Sequence, residues 1–329
     1  MGFYTNKKVL VTGGTGLIGK PLVNLLLNEG AKVRIASLDD KSLAAHEAEF
    51  MQVNLIYLEN CINVCADMDY VFHLAGIKGS PKMSSERPAS FFVPIVLFNT
   101  NMLEAARQCG VGKYLYTSSI GVYSPAEIFH EEDVWKTFPS ENDKFPGWAK
   151  RMGELQIEAY KMEYGWNGIS IVRPANVYGP YDNFDERNAT VIPSLIKRAL
   201  NGENPLVVWG DGTPIRDFIH AKDVARGMLM VLESGLTDPV NLGSGRGYTI
   251  KEITDIILNN MYPKPEVIWD TSKPLGDKKR LMDITRAKSI GFFPQISLED
   301  GIKEVMNWYL KYKGAIDKRY NIFATGRNI

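Results

Sequence analysis

The stretch Lys7-Lys8-Val9-Leu10-Val11-Thr12-Gly13-Gly14-Thr15-Gly16-Leu17-Ile18-Gly19 decides how the chain is read. Val9, Leu10 and Val11 are the short apolar run that a buried parallel strand needs, and Thr12-Gly13-Gly14 stops it at once. Gly13, Gly16 and Gly19 then lead into a helical pattern carried by Leu17, Ile18, Leu22, Leu25 and Leu26. Strand, glycine turn and helix N-terminus together make an anion site. Unpaired N–H groups and the positive end of the helix dipole face the anion, and glycine lets the backbone approach it. Set between a strand and a helix, this spacing points to a dinucleotide pyrophosphate rather than to an ordinary turn.

Working outward, strands are expected over 7–11, 33–36, 52–55, 70–74, 114–118 and 169–173. Between them the spacing predicts helices over 17–29, over 42–50 with Ser42 as N-cap, up to about 66, over 88–109 with a kink at Pro94, and over 147–164. Strands alternating with helices at this rhythm mean an α/β protein with a Rossmann-like, doubly wound parallel sheet. That dinucleotide-binding domain is read over 1–174. A smaller substrate-binding lobe is read mainly over 175–317, some of its segments returning to the sheet, with a tail over 318–329. In such sheets ligands lie beyond the carboxyl ends of the strands, so motifs that follow strand ends gain weight.

Composition narrows the function. The 329 residues are 45% hydrophobic and 23% charged, ordinary for a soluble globular protein. Lysine plus arginine equals aspartate plus glutamate at 38 each, which argues against a nucleic-acid partner and leaves any phosphate to local residues. Cys61, Cys65 and Cys109 are a sparse, odd set that suits reduced cytoplasm, and no metal-binding set forms around them. Cys61 and Cys65 read as small buried hydrophobes. No signal peptide is expected ahead of the glycine loop, and the apolar stretch 91–98 reads as too short to span a bilayer. A cytoplasmic protein without a membrane partner is expected.

HLAG (73–76), TSSIGVY (117–123), WAKRMGE (148–154), RPANVYG (173–179) and IRDFIHAKDVARG (215–227) join the glycine motif. Taken jointly, from 7 to about 313, they resemble the extended short-chain dehydrogenases/reductases, the nucleotide-sugar epimerases, dehydratases and reductases. NVYGPYDNF (176–184), VIPSLIKRA (191–199), VVWGDGTPIRDFIH (207–220) and SKPLGDKKRLMD (272–283) are most similar to the GDP-sugar branch of the fucose synthase type.

The resemblance implies a cofactor site at Gly13, Gly16, Leu17, Ile18, Gly19, Leu74, Ala75, Gly76 and Pro174. Lys150 would hold the nicotinamide ribose, and Asn54 would take the adenine amine. Ser37 occupies the usual acidic place after the second strand, with Asp39 close by and no arginine to favour a 2′-phosphate. NAD is therefore the expected cofactor, with NADP left open. Asn176 is implied near the sugar diphosphate, Val191 and Trp209 beside the base, and Arg216 and Arg280 on the phosphates. Core packing is the competing reading of Trp209, and an ion pair with Asp217 or Asp223 that of Arg216. A homodimer through the helices at 88–109 and 147–164 is implied as well.

Catalysis in such proteins uses a serine or threonine with a tyrosine and a lysine spaced Y-x-x-x-K. Ser118, Ser119 and Lys150 fit the first and last members. Pro146 stands where the tyrosine belongs. The cysteine and histidine used for epimerisation in the fucose synthase type align with Ile120 and Thr190. Substitutes for the tyrosine are Tyr123, a desolvated Lys150, or water relayed through a serine. His130, Glu131, Glu132 and His220 are weaker candidates. The expectation is an NAD-dependent oxidoreductase or epimerase acting at C4 of a nucleotide-diphosphate sugar, GDP-linked, in surface-polysaccharide synthesis. The alternative is a catalytically silent protein that binds both ligands as a regulator or scaffold.

Overall fold

The computed structural model describes residues 2–77, 79, 81–273, 276–313 and 320. The expected tail over 318–329, Tyr320 aside, lies outside the described residues. In chain order the elements are β1 (Lys8–Thr12), α1 (Gly19–Asn28), β2 (Lys32–Ser37), β3 (Glu49–Gln52), α2 (Leu58–Cys65), β4 (Tyr70–His73), α3 (Pro81–Glu86), α4 (Pro88–Gln108), β5 (Lys113–Thr117), α5 (Lys144–Tyr164), β6 (Ile169–Pro174) and β7 (Asn176–Tyr178). They continue with α6 (Val191–Leu200), β8 (Leu206–Trp209), β9 (Ile215–His220), α7 (Ala221–Ser234), β10 (Val240–Leu242), β11 (Gly247–Thr249), α8 (Ile250–Asn259), β12 (Val267–Asp270), β13 (Lys279–Arg280), α9 (Thr285–Ser289) and α10 (Leu298–Tyr312).

Seven strands form one sheet in the order β10-β6-β5-β4-β1-β2-β3, every neighbouring pair parallel. The strand order reverses between β1 and β4, so a crevice opens at their carboxyl ends. Leu22, Val23 and Leu26 of α1 join Val224, Met228 and Leu232 of α7 in the core on one face. The other face is covered by α2, α4 and α5 through Cys61, Cys65, Phe91, Ile95, Met102, Ala149 and Ile157. Cys61 and Cys65 are thus fully buried core residues. By length and composition α4 could cross a bilayer, but half of it is buried here and its apolar side packs on the sheet.

A second, smaller core gathers α6, α8 and α10 with strands β7, β8 and β9. Its strands form two small sheets: β9 flanked by β11, β13 and β7, and β8 beside β12. β10 and α7, from the same half of the sequence, belong to the large sheet and its covering layer.

Two local expectations are corrected. No helix fills 42–50: a single turn at Lys41–Leu43 is capped by Asp40, whose carboxylate accepts the Ser42 N–H, and strand β3 starts at Glu49. Residues 49–52 pair with Arg34–Ser37 of β2, and Arg34 meets Glu49 at 2.8 Å, so the ladder outweighs a weakly apolar helix face. Helix α5 begins at Lys144, not 147, because proline in a first turn has no intrahelical N–H bond to lose.

Candidate active site

One continuous groove of about 2750 Å³ runs from the glycine loop, past the ends of β5 and β6, to β9 and β13. At its first end Gly13 has φ +68°, a left-handed backbone, and a Cβ there would lie 3.2 Å from the Ala75 nitrogen. A Cβ on Gly19 would sit 2.1 Å from the Gly13 oxygen. The helix start is therefore held against its own loop at a distance only glycine allows, which is the cradle a pyrophosphate needs.

The next strand is tied to this loop from behind. Thr12 Oγ1 accepts the N–H groups of Leu74 and Ala75 at 3.1 and 3.0 Å and meets His73 Nδ1 at 2.8 Å. His73 Nε2 contacts Asn99 Oδ1 at 3.0 Å, and Asn99 donates to the Tyr116 hydroxyl at 2.8 Å. Burial pushes the His73 pKa down to about 3, so this chain is neutral at physiological pH. Ahead of the loop, Thr15 donates to Asp39 at 2.7 Å and meets the Ser37 hydroxyl at 2.8 Å, while Ser37 accepts the Asp39 N–H at 3.2 Å. Asp39 also accepts the Tyr320 N–H at 2.8 Å. Asn54 accepts the Ile56 N–H through its side chain. Gly16, Leu17, Ile18, Leu74, Gly76 and Pro174 line the same groove.

Beside the sheet centre, Ser118, Ser119 and Lys150 meet at the wall. Lys150 Nζ donates to the Thr117 carbonyl at 2.7 Å and lies 5.1 Å from the centre of the Tyr116 ring. Burial lowers its pKa to about 8, partly countered by Glu154. Ser118 donates to Glu154 Oε1 at 2.5 Å, and Ser119 Oγ accepts the Gly121 N–H at 3.0 Å. The Thr117 hydroxyl, also on the groove, is buried without a protein partner. Pro146 does not line the groove, although its neighbours Lys144 and Phe145 do.

Tyr123 is not available as a substitute for the missing tyrosine. It is buried, its ring stacks on Phe129 at 4.8 Å, and its hydroxyl donates to Asn241 at 2.6 Å and accepts from Arg173 at 3.0 Å. It lies outside the groove, and burial raises its pKa beyond its ordinary value. The loop acids are also turned to structural work. Glu131 accepts the Asn241 N–H, Glu132 pairs with Arg286, and His130 contacts Asp283. His220 is buried, its Nδ1 accepting the Lys222 N–H.

Sequence reasoning missed the network behind Ser118. Glu154 accepts Arg173 at 3.0 and 2.6 Å, both side chains almost fully buried, and Arg173 also donates to the Glu131 carbonyl. Two signals for it were present: Glu154 stands one helical turn after Lys150, and Arg173 is the one charge in the strand Ile169–Pro174.

At the far end Arg216 and Arg280 are opposite each other in the parallel pairing of β9 and β13. Burial lowers the Arg216 pKa to about 10, with Arg280's like charge adding to the effect. Arg280 pairs with Asp277 and, at 2.5 Å, with Asp143; these carboxylates outweigh burial and raise its pKa. Arg216 has neither ion pair weighed from the sequence, since Asp217 turns inward to the N–H groups of Ser244 and Gly245 and Asp223 pairs with Arg226. Two guanidinium groups on one wall suit a diphosphate. Asn176 donates to the Asp217 carbonyl and lines the groove with Val191 and Trp209. Trp209 is 56% exposed, so it is a presented face and not core packing.

A parallel sheet with a glycine-lined crevice at its reversal defines a dinucleotide-binding α/β protein. The family model for the NAD dependent epimerase/dehydratase family matches residues 9–243, and the chain belongs to that family. It is 32% identical over 317 residues to GDP-L-fucose synthase 1 of Arabidopsis thaliana, covering 92% of this chain and 93% of the relative. It is 30% identical over 322 residues to a dTDP-4-dehydro-6-deoxy-D-allose reductase of Streptomyces, covering 94% and 98%. Among solved structures, an epimerase of Methanothermobacter thermautotrophicus superposes with a TM-score of 0.85 at 27% identity, covering 96% of this chain and 95% of that one.

Proposed function

We propose that the protein is a nicotinamide-dependent nucleotide-sugar oxidoreductase or epimerase that acts at C4 of a GDP-linked sugar. The observation that carries this reading is the single groove joining the glycine cradle, the Ser118–Ser119–Lys150 wall and the Arg216–Arg280 pair. The named relatives, which include a GDP-sugar and a dTDP-sugar enzyme, support it over a silent binding protein.

The residues fit a dinucleotide. Gly13, Gly16 and Gly19 would hold its pyrophosphate, Lys150 its nicotinamide ribose, and Asn54 its adenine amine. The Asp39 carboxylate, fixed by Thr15, would accept from ribose hydroxyls and repel a 2′-phosphate, so NAD is preferred over NADP. When bound, the nicotinamide supplies or takes a hydride. Ser119 would orient the sugar oxygen, Arg216 and Arg280 would anchor the diphosphate, and Trp209 and Val191 would flank the base. Three free thiols, Cys61, Cys65 and Cys109, support a place in the reducing cytoplasm, where sugars for surface polysaccharide would be made. Exposed Val93 and Leu97 on α4 and Leu155 on α5 support a homodimer through these helices.

The test is to mix dinucleotide-loaded protein with separate GDP-, UDP- and dTDP-sugars, following reduced-nicotinamide absorbance and the mass of the sugar products. Redox change with a GDP-sugar supports the reading. No change with any sugar, in either readout, contradicts it.

A further inference from the structure

We propose that Lys150 is the catalytic acid and base of this site, passing the proton directly between its Nζ and the reacting sugar oxygen. The inference rests on the nucleotide-sugar reading above. The other candidate proton carriers at the wall are each excluded by their chemistry or their partners, and the amine is placed there.

Pro146 has no proton to give, and the Tyr123 hydroxyl is committed to Asn241 and Arg173 away from the groove. Ser118 gives its hydroxyl proton to the Glu154 carboxylate at 2.5 Å, so it can accept a hydrogen bond from a sugar hydroxyl but offers none to a sugar carbonyl. Glu154 is no better a carrier: its oxygens already accept Ser118 and both arms of the Arg173 fork. Ser119 keeps a hydroxyl proton to orient an oxygen, but an alcohol is far too weak an acid to release it.

Lys150 stands on the same wall with three N–H bonds, of which the Thr117 carbonyl takes one. The other two suffice for the nicotinamide ribose and for one sugar oxygen. The charged and titratable groups around the ammonium are Glu154 on its own helix, His73 on β4 and Tyr116 on β5. His73 is neutral, so Glu154 supplies the countercharge, and burial brings the amine within reach of neutral pH.

In the reducing direction the sugar carbonyl carbon receives a hydride from the reduced nicotinamide, forming a C–H bond. The C=O π pair moves onto oxygen, which takes a proton from the Lys150 ammonium. The sugar ends as an alcohol, the nicotinamide is oxidised, Lys150 is left a neutral amine, and water in the groove protonates it again. Oxidation runs the same transfers backwards, with the neutral amine taking the hydroxyl proton.

The experiment compares wild type with K150R, each loaded with reduced dinucleotide and mixed with a GDP-4-keto-6-deoxyhexose. Arginine keeps the charge and the donors but does not release a proton near neutrality. K150R should bind the dinucleotide within a few-fold of wild type yet turn over ~10²–10⁴-fold more slowly. Wild-type reduction should fall as pH rises through about 8, where the ammonium form is lost, and the residual K150R rate should show no such step. K150R as fast as wild type would overturn the inference alone. Absence of nicotinamide oxidation in the wild type with every sugar would overturn the nucleotide-sugar reading, and this inference with it. Competitive acetylation of Lys150 in the wild-type protein adds a readout independent of turnover. Half-maximal reactivity near pH 8 supports the proposal, and an ordinary lysine value of about 10.4 overturns it.

Discussion

Two buried networks stand behind the groove, and they hold it by different physics. Behind the glycine loop runs a neutral chain, Thr12–His73–Asn99–Tyr116, in which a histidine is kept uncharged by burial. Behind the serines runs a charged one, Ser118–Glu154–Arg173–Tyr123–Asn241, built on a fully buried ion pair. The neutral chain fixes a backbone, the turn after β4 that faces the glycine cradle. The charged chain fixes side chains, the serine hydroxyl and the tyrosine that it holds out of the site. Damage to the first corner should weaken binding as well as folding, and damage to the second should appear in folding.

Breaking the ion pair from one side should have the largest effect. Arg173→Met leaves Glu154 buried without its partner, a loss of ~3–5 kcal/mol and roughly 10 °C in melting temperature. The double variant E154M/R173M should recover a good part of it, since no lone charge remains. Equal losses in single and double variants, read by thermal denaturation, would show that the pair is not the source of the cost.

At the other corner Gly19→Ala should lower the melting temperature and weaken dinucleotide binding on the order of 10²-fold, because its Cβ meets loop backbone and the helix start must retreat by about an ångström. Isothermal titration with NAD measures this directly. Retained affinity would mean that the cradle is not the pyrophosphate site.

The neutral chain has a pH signature. His73 titrates at about 3 in the folded protein against about 6.5 unfolded, so between those values the unfolded state binds more protons and stability rises with pH. Its contribution is fully present above 6.5 and lost as pH falls toward 3. Buried His220 is shifted the same way, so the comparison must be with a variant. His73→Gln should flatten the slope of unfolding free energy in that window by ~1.4 kcal/mol per pH unit. An unchanged slope would mean that the histidine is charged in the native state.

The smallest effect concerns selectivity. Asp39→Ala should raise the affinity for NADP relative to NAD by roughly tenfold, about 1.4 kcal/mol. An unchanged ratio in paired titrations would remove Asp39 from cofactor choice.

The neutral corner was the more legible in the sequence, and the reason is physical. Gly13, Gly16 and Gly19 act through the backbone over a few residues, so their spacing alone specifies the turn. The charged corner joins residues 118, 123, 154, 173 and 241, and only the fold brings them together. Tyr123 looked eligible because its place in the TSSIGVY motif gives no side-chain direction. The segment 42–50 reads as helix by its own periodicity, whereas its strand is chosen by the edge of β2, with Arg34 meeting Glu49. Trp209 and Arg216 were undecided between core or ion pair and ligand contact until exposure and partners were in view.

The most direct test of the central claim, hydride chemistry at a wall that lacks the tyrosine, follows the hydrogen itself. Protein is incubated with nicotinamide dinucleotide carrying deuterium at its reducing position and with a GDP-4-keto-6-deoxyhexose, and the sugar is examined by mass spectrometry and NMR. One deuterium is expected at sugar C4, appearing ~10²–10⁴-fold more slowly in K150R. An unlabelled sugar, with dinucleotide and GDP-sugar both shown to be bound, would contradict it.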